Sequence, residues 1–308
     1  MKNNQVSASF IRRWLLFIKE RFPFASHIPL IAFVFAANAL VAYTSLTLSP
    51  AIGKSEILGL LLIILVFLHL RIFDEIKDYD TDKLAHPHRP LARGLISKKE
   101  ATMVAYAIIL LELILAALLH RAALVGIICV ICYSLLMYKE FFVREWIRKK
   151  LVFYAVSHSV ISGIIALFIF SCVTERYIYQ FPPIFGLFVL ANMLLSNIYE
   201  FSRKTFAQQE EDELIDSYSK RFGPLGASLI VLLMAATSVF IGFILGFCFN
   251  LRFLFFIAMA CLMILIAFVG LMYARTNLTS WAKRHRASGG LFILLYDVII
   301  TIGIIWNN

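Results

Sequence analysis

"ILGLLLIILVFLHLRIFDEIKDYDTDKLAHPHRP", residues 57–90, decides the architecture, because its two halves belong in different solvents. Residues 57–73 are almost uncharged, whereas seven of the ten residues that follow are acidic or basic. An apolar run of about that length crosses the hydrocarbon of a bilayer as a helix. The charge at its end marks where the chain reaches water. The same alternation recurs along all 308 residues, which are 61% hydrophobic and only 16% charged. That composition, with a mean hydropathy of +0.84, excludes a soluble globular protein.

Nine such stretches are expected, near residues 28–48, 56–73, 101–119, 122–138, 151–173, 181–199, 226–249, 253–273 and 288–306. They lack the alternation of barrel strands, and lipid offers no water to unpaired backbone groups, so the fold class is all-α, a polytopic nine-helix membrane bundle. Basic residues set the orientation. With the amino end inside, only Lys54, Arg121, Arg176 and Arg252 of the 29 Lys and Arg lie on the outer side, which predicts a cytoplasmic N-terminus and cytoplasmic loops at 74–100 and 200–225. The net charge of +10 then reflects topology and attraction to anionic membrane lipid, and no nucleic-acid partner is expected.

Residues 1–27 form a separate segment in this reading, ahead of a single domain at 28–308. Their "FIRRWLLFIKERF" places Phe10, Trp14, Phe17 and Ile18 on one helical face, with Arg12, Arg13 and Lys19 toward water, as in a helix lying on the inner surface. A cleaved signal peptide fits less well, since the first apolar run is too long for it. The five cysteines sit in or beside apolar segments and read as small buried hydrophobes, Cys129-x-x-Cys132 included.

The chemistry collects in the two long inner loops. Asp74, Asp78 and Asp82 recur every four residues. On a helix continued past Phe73, each step of four turns about 400°, so the carboxylates drift only about 40° apiece and share a face. A divalent cation is the expected counter-charge, since Mg²⁺ takes one or two carboxylates and completes its shell with water and phosphate. The second loop begins "NIYEFSRKTFAQQEEDELIDSYSKRFG", where Glu200 stands beside Arg203 and Lys204, and Glu210, Glu211 and Asp212 follow. Either Glu200 or the later cluster can complete the metal set, with Glu200 preferred for its place at the end of the sixth span and Glu211 kept as the alternative.

Two acidic helix ends with Arg and Lys beside them suit an amphiphile with a diphosphate head and an apolar tail, and a prenyl diphosphate fits that description. Asp78 and Asp82 are the expected catalytic carboxylates, and Asp74, Asp78, Asp82 and Glu200 the metal ligands. Arg89, Arg203 and Lys204 are expected on diphosphate oxygens the metal leaves free. His158 lies in an apolar helix, where it would touch an acceptor or take its proton, or else bond a neighbouring helix. Glu112 and Asp297 read as protonated or paired structural groups. Asn38, Asn192 and Asn197 read as interhelical or pocket-lining residues.

"DEIKDYDTDKLAHPHRPLARG" resembles the first Asp-rich motif of the UbiA superfamily of intramembrane prenyltransferases, NDxxDxxxD followed by a basic residue and a PxRP turn. Asp78 and Asp82 match its later aspartates, Lys83 its basic residue, and Pro87, Arg89 and Pro90 its turn. Asp74 stands where that family has Asn, Glu75 replaces its following Asp, and Glu200 with Arg203 and Lys204 replaces the usual second DxxxD. Nine spans, with motifs after the second and sixth, agree as well. The resemblance implies transfer of a polyprenyl group from its diphosphate to a lipophilic acceptor, an aromatic or quinone-precursor ring, with Mg²⁺. It adds Lys83 and, from "MYKEFFVREWIRKK", Lys139 as diphosphate contacts. A membrane terpene cyclase using the same cation, or a transporter of an anionic amphiphile, are the alternatives; the short outer loops give little sign of a transport path.

Overall fold

The computed structural model describes residues 9–212 and 216–307, and among these it contains helices and connecting segments but no strand. Helix α1 (Phe10–Arg21) precedes α2 (Phe24–Ser45), α3 (Lys54–Lys77), the short α4 (Tyr79–Ala85), α5 (Lys98–Leu119) and α6 (Arg121–Tyr138). The short α7 (Arg144–Arg148), then α8 (Leu151–Thr174), α9 (Pro183–Arg203), α10 (Tyr218–Cys248), α11 (Phe253–Thr276) and α12 (Thr279–Ile305) complete the chain. Among the described residues, nine helices are long and apolar enough to cross a membrane: α2, α3, α5, α6, α8, α9, α10, α11 and α12. The chain is an integral, multi-pass membrane protein.

The apolar runs mark where each span lies but not where its helix stops, because a helix has no reason to end at the hydrocarbon boundary. α3 continues to Lys77 and α12 begins at Thr279, each carrying a polar turn beyond its apolar run. α10 starts at Tyr218 and breaks at Gly223, whose φ of 69° only glycine adopts without strain, just before Pro224.

Packing follows the chain in a closed circuit: α2 on α3, α3 on α5, then α5–α6–α8–α9–α10–α11–α12, and α12 back on α2. α8 touches α2, α3, α6 and α9 and is the most buried span. Polar pairs fix several crossings. The Asn38 and Asn192 side-chain amides exchange two 3.1 Å hydrogen bonds between α2 and α9, and Asn197 donates to Ser159 at 2.8 Å. These three asparagines are therefore interhelical ties. Glu112 on α5 meets His69 on α3 at 2.7 Å, both fully buried, so it is paired as expected. Asp297 is buried with neither carboxylate oxygen hydrogen-bonded.

α1 lies against this bundle with Trp14 and Phe17 buried and Phe10, Ile11 and Leu15 exposed. Arg13 does not simply face water, since it and the Trp14 indole donate to Glu100 at 2.8 and 3.0 Å. Two further ties join its end to the first loop: Arg21 to the buried Glu75 at 2.5 Å, and Glu20 to Arg93 through two 2.8 Å bonds. Glu20's carboxyl is held below the usual range by that Arg93 fork.

Candidate active site

The ends of α3, α6 and α9 and the start of α8 lie at one end of the bundle, and the first acidic motif is built there. α3 terminates at Lys77, and Asp78 takes a bridge conformation (φ −91°, ψ 2°) before α4 begins. Backbone bonds still run through the break, Asp78 N–H to Asp74 at 2.9 Å and Asp82 N–H to Asp78 at 2.8 Å, so Asp74 and Asp78 keep neighbouring positions. Their side chains are about half exposed, at 50% and 43%, whereas Asp82 is 6% exposed and held by Arg89 at 2.6 Å. The three aspartates thus do not share one environment as a continuous helix predicts. The step at Asp78 turns Asp82 inward, onto the arginine of the PxRP turn.

Each remaining aspartate meets a cation. Lys77 donates to Asp74 at 3.1 Å, and Arg148 approaches Asp78 at 3.9 Å. Burial pushes the Asp78 carboxyl up, Lys77 works against it, and Asp74 and Asp82 add to the rise.

The second motif ends α9. Glu200 is flanked at i+3 and i+4 by Arg203, whose guanidinium donates to Oε2, and Lys204, 2.8 Å from Oε1. The two motif ends meet over α8, where a lysine from each converges on one ring. Tyr154 is their common surface: its ring centre is 5.6 Å from Lys77 Nζ and 5.9 Å from Lys204 Nζ. His158, one turn further along α8, stacks on it at 3.9 Å. The His158 Nδ1 sits 2.8 Å from the Tyr154 carbonyl, while its Nε2 is buried without a partner. The carbonyl can only accept, so Nδ1 carries the proton and Nε2 presents a lone pair.

The α6–α8 connection walls this region. Glu140, Phe141 and Phe142 all have positive φ, of 48°, 54° and 59°, a run disfavoured in non-glycine residues. It is held because Glu140, almost wholly buried, binds Arg148 at 2.6 Å and Arg144 at 2.9 Å. The bend sets Phe141 edge-on to His158 and Tyr133. Beside Asp74 and Lys77, Leu70, Phe73, Ser134, Met137 and Tyr138 line a narrow crevice of about 10 Å³. Lys139 lies at its rim, 5.2 Å from the Tyr138 ring.

Other expected residues fall elsewhere. Lys83 is exposed and covers the Tyr79 ring at 4.4 Å, beside Lys98. Glu211 accepts from the Ser217 and Ser219 hydroxyls, and Glu210 forks onto Arg286 at 2.8 and 3.0 Å, which lowers its carboxyl pKa. These acids fasten the loop after α9 rather than joining Glu200. Sequence reading missed Tyr154 altogether; its one signal is the i, i+4 spacing to His158.

No group of three or more His, Cys, Asp or Glu able to hold a metal occurs among the described residues. Mg²⁺ needs no more than one or two carboxylates when phosphate and water complete its shell. Asp74 keeps one oxygen free of Lys77, and Asp78 is approached only by Arg148, at 3.9 Å, so this pair fits such an ion.

A sequence profile of the UbiA prenyltransferase family matches residues 30–295, and the chain belongs to that family. It is accordingly an enzyme of the prenyltransferase class. Among solved structures, the fold is similar to an apo UbiA homologue from Aeropyrum pernix K1 (TM-score 0.67, 20% identity, 90% of this chain and 97% of that one). It is also similar to a digeranylgeranylglyceryl phosphate synthase (0.66, 15%, 96% and 99%). A third similar structure is a UbiA homologue from Archaeoglobus fulgidus bound to GPP and Mg²⁺ (0.51, 17%, 88% and 96%). No curated protein matches the sequence.

Proposed function

We propose that this protein transfers a polyprenyl group from its diphosphate to a lipophilic acceptor, an aromatic or quinone-precursor ring, at the cytoplasmic boundary of the membrane. The observation that carries the reading is the convergence on the Tyr154 ring of Lys77, from the Asp74–Asp78 end, and Lys204, from the Glu200–Arg203 end. The diphosphate-bound relative from Archaeoglobus fulgidus supports it. The basic residues concentrated at the motif end support its facing the cytoplasm.

Asp74 and Asp78 would hold Mg²⁺, with Asp82 bracing the motif through Arg89. Bound there, the ion supplies charge neutralisation at the diphosphate oxygens. Arg203, Lys204 and Lys77 donate to the same head group, and Lys139 meets it from the rim. Breaking the allylic C–O bond concentrates negative charge on the departing diphosphate, so donors fixed at those oxygens stabilise the transition state more than the bound substrate. Phe73, Tyr138 and Phe141 offer the remaining carbocation an apolar, aromatic surface that excludes water. His158 Nε2 takes the proton that the acceptor loses when its new C–C or C–O bond forms.

The test incubates membranes with labelled prenyl diphosphate, Mg²⁺ and candidate acceptors. Asp78→Ala, expressed at the level of the parent, is expected to lower diphosphate release by about 100-fold or more, the loss typical of one transition-state contact. Unchanged turnover would overturn the reading.

A further inference from the structure

Glu200 stands where a second metal ligand is expected, yet both of its oxygens are taken by its own helix. Arg203 donates to Oε2 through Nε and Nη2, and Lys204 binds Oε1 at 2.8 Å. The spacing builds this arrangement in, since residues three and four apart on a helix are neighbours. Two other acids of the loop are no better placed: Glu210 is forked on Arg286, and Glu211 is bound by two serine hydroxyls.

The cations, in contrast, keep donors to spare. Arg203 uses Nε and Nη2, which leaves Nη1, and the ammonium of Lys204 has further N–H groups beyond its bond to Glu200. Lys204 lies by the Tyr154 ring that Lys77, the partner of Asp74, also approaches. A diphosphate entering between the motif ends meets one pair of carboxylates at the end of α3 and a group of protein cations at the end of α9.

We propose that this site works with a single divalent ion, on Asp74 and Asp78, and that Glu200 orients Arg203 and Lys204 as a clamp that replaces a second ion. Arg gives planar, two-point recognition of phosphate oxygens and Lys a point charge, so together they cover the oxygens the ion leaves open. Glu200 is a positioning residue in this scheme. The inference rests on the prenyl diphosphate reading and adds the stoichiometry of its head-group site.

The experiment titrates the purified full-length chain with Mn²⁺, with and without an uncleavable prenyl thiolodiphosphate, and counts analogue-dependent bound Mn²⁺ by EPR. One Mn²⁺ per chain is expected. Asp78→Asn removes it. Glu200→Gln keeps it and weakens analogue binding about 3- to 10-fold, whereas Arg203→Gln weakens binding about 10- to 100-fold, the range for a lost charged hydrogen bond. Two Mn²⁺ per chain in the parent, or loss of Mn²⁺ from a Glu200→Gln protein that still binds analogue, overturns the clamp and leaves the prenyl diphosphate reading standing. No analogue binding under any metal condition sinks both.

Discussion

At the scale of single residues, Asp78 and Asp82 differ in ways their spacing conceals. Asp78 is half open and carries a carboxyl pKa raised by burial and by two neighbouring aspartates. Protons therefore compete with a metal for it at a higher pH than for an ordinary aspartate. Mn²⁺ affinity is expected to fall as pH drops toward the acidic range, and Asp82→Asn, which removes one of those neighbours, to move that fall to lower pH; calorimetric titration across pH checks this. Asp82 is committed to Arg89, so Asp82→Asn is also expected to reduce turnover less than Asp78→Ala does, as measured in the prenyl diphosphate assay. The i, i+4 relation of Asp74 to Asp78, and of Glu200 to Lys204, was legible because helix geometry is local. Lys83 and Tyr154 were not: which way Lys83 turns depends on Tyr79 and Lys98, and the role of Tyr154 exists only once α8 packs between two other helix ends.

At the scale of elements, the position of the α9 motif depends on a close crossing with α12. A methyl group added at Gly289 would lie 1.8 Å from Ser202 Oγ and 2.8 Å from its Cβ, next to Arg203. No rotamer removes both contacts, so the helices must part. Gly289→Ala is expected to lower thermal stability by about 1–3 kcal/mol, the usual cost of overpacking, and to weaken analogue binding through Arg203; a thermal-shift assay with a binding titration tests it. The α3–α5 crossing behaves differently. His69→Leu strands the buried Glu112 carboxyl, whereas His69→Leu with Glu112→Leu removes both polar groups, so the double variant is expected to be the more stable of the two. Membrane interhelical hydrogen bonds are worth about 0.6 kcal/mol on average, so a difference of that order is expected in detergent melting curves.

At the scale of the molecule, the nine spans were readable because an apolar run of about 20 residues in a chain this hydrophobic has few other uses. Their ends were not, because helical bonding carries polar turns such as 279–287 past the membrane boundary. α1 was legible as amphipathic, but its grip on Glu75, Arg93 and Glu100 was not, since those partners lie 54 to 87 residues away. Through Glu75, beside Asp74, this helix braces the first motif, and Arg21→Ala is expected to raise the KM for prenyl diphosphate while Mn²⁺ stoichiometry stays unchanged.

The internal ion pairs of both motifs have one more consequence. Asp74 leans on Lys77, Asp82 on Arg89, and Glu200 on Arg203 and Lys204, so with Asp78 the site sets four carboxylates against four cations and is balanced by its own side chains. A protein built this way has no need of magnesium to hold its shape. Exhaustive chelation should silence turnover yet leave the melting temperature where it was, which separates this chain from metalloproteins whose folding and metal loading are one event.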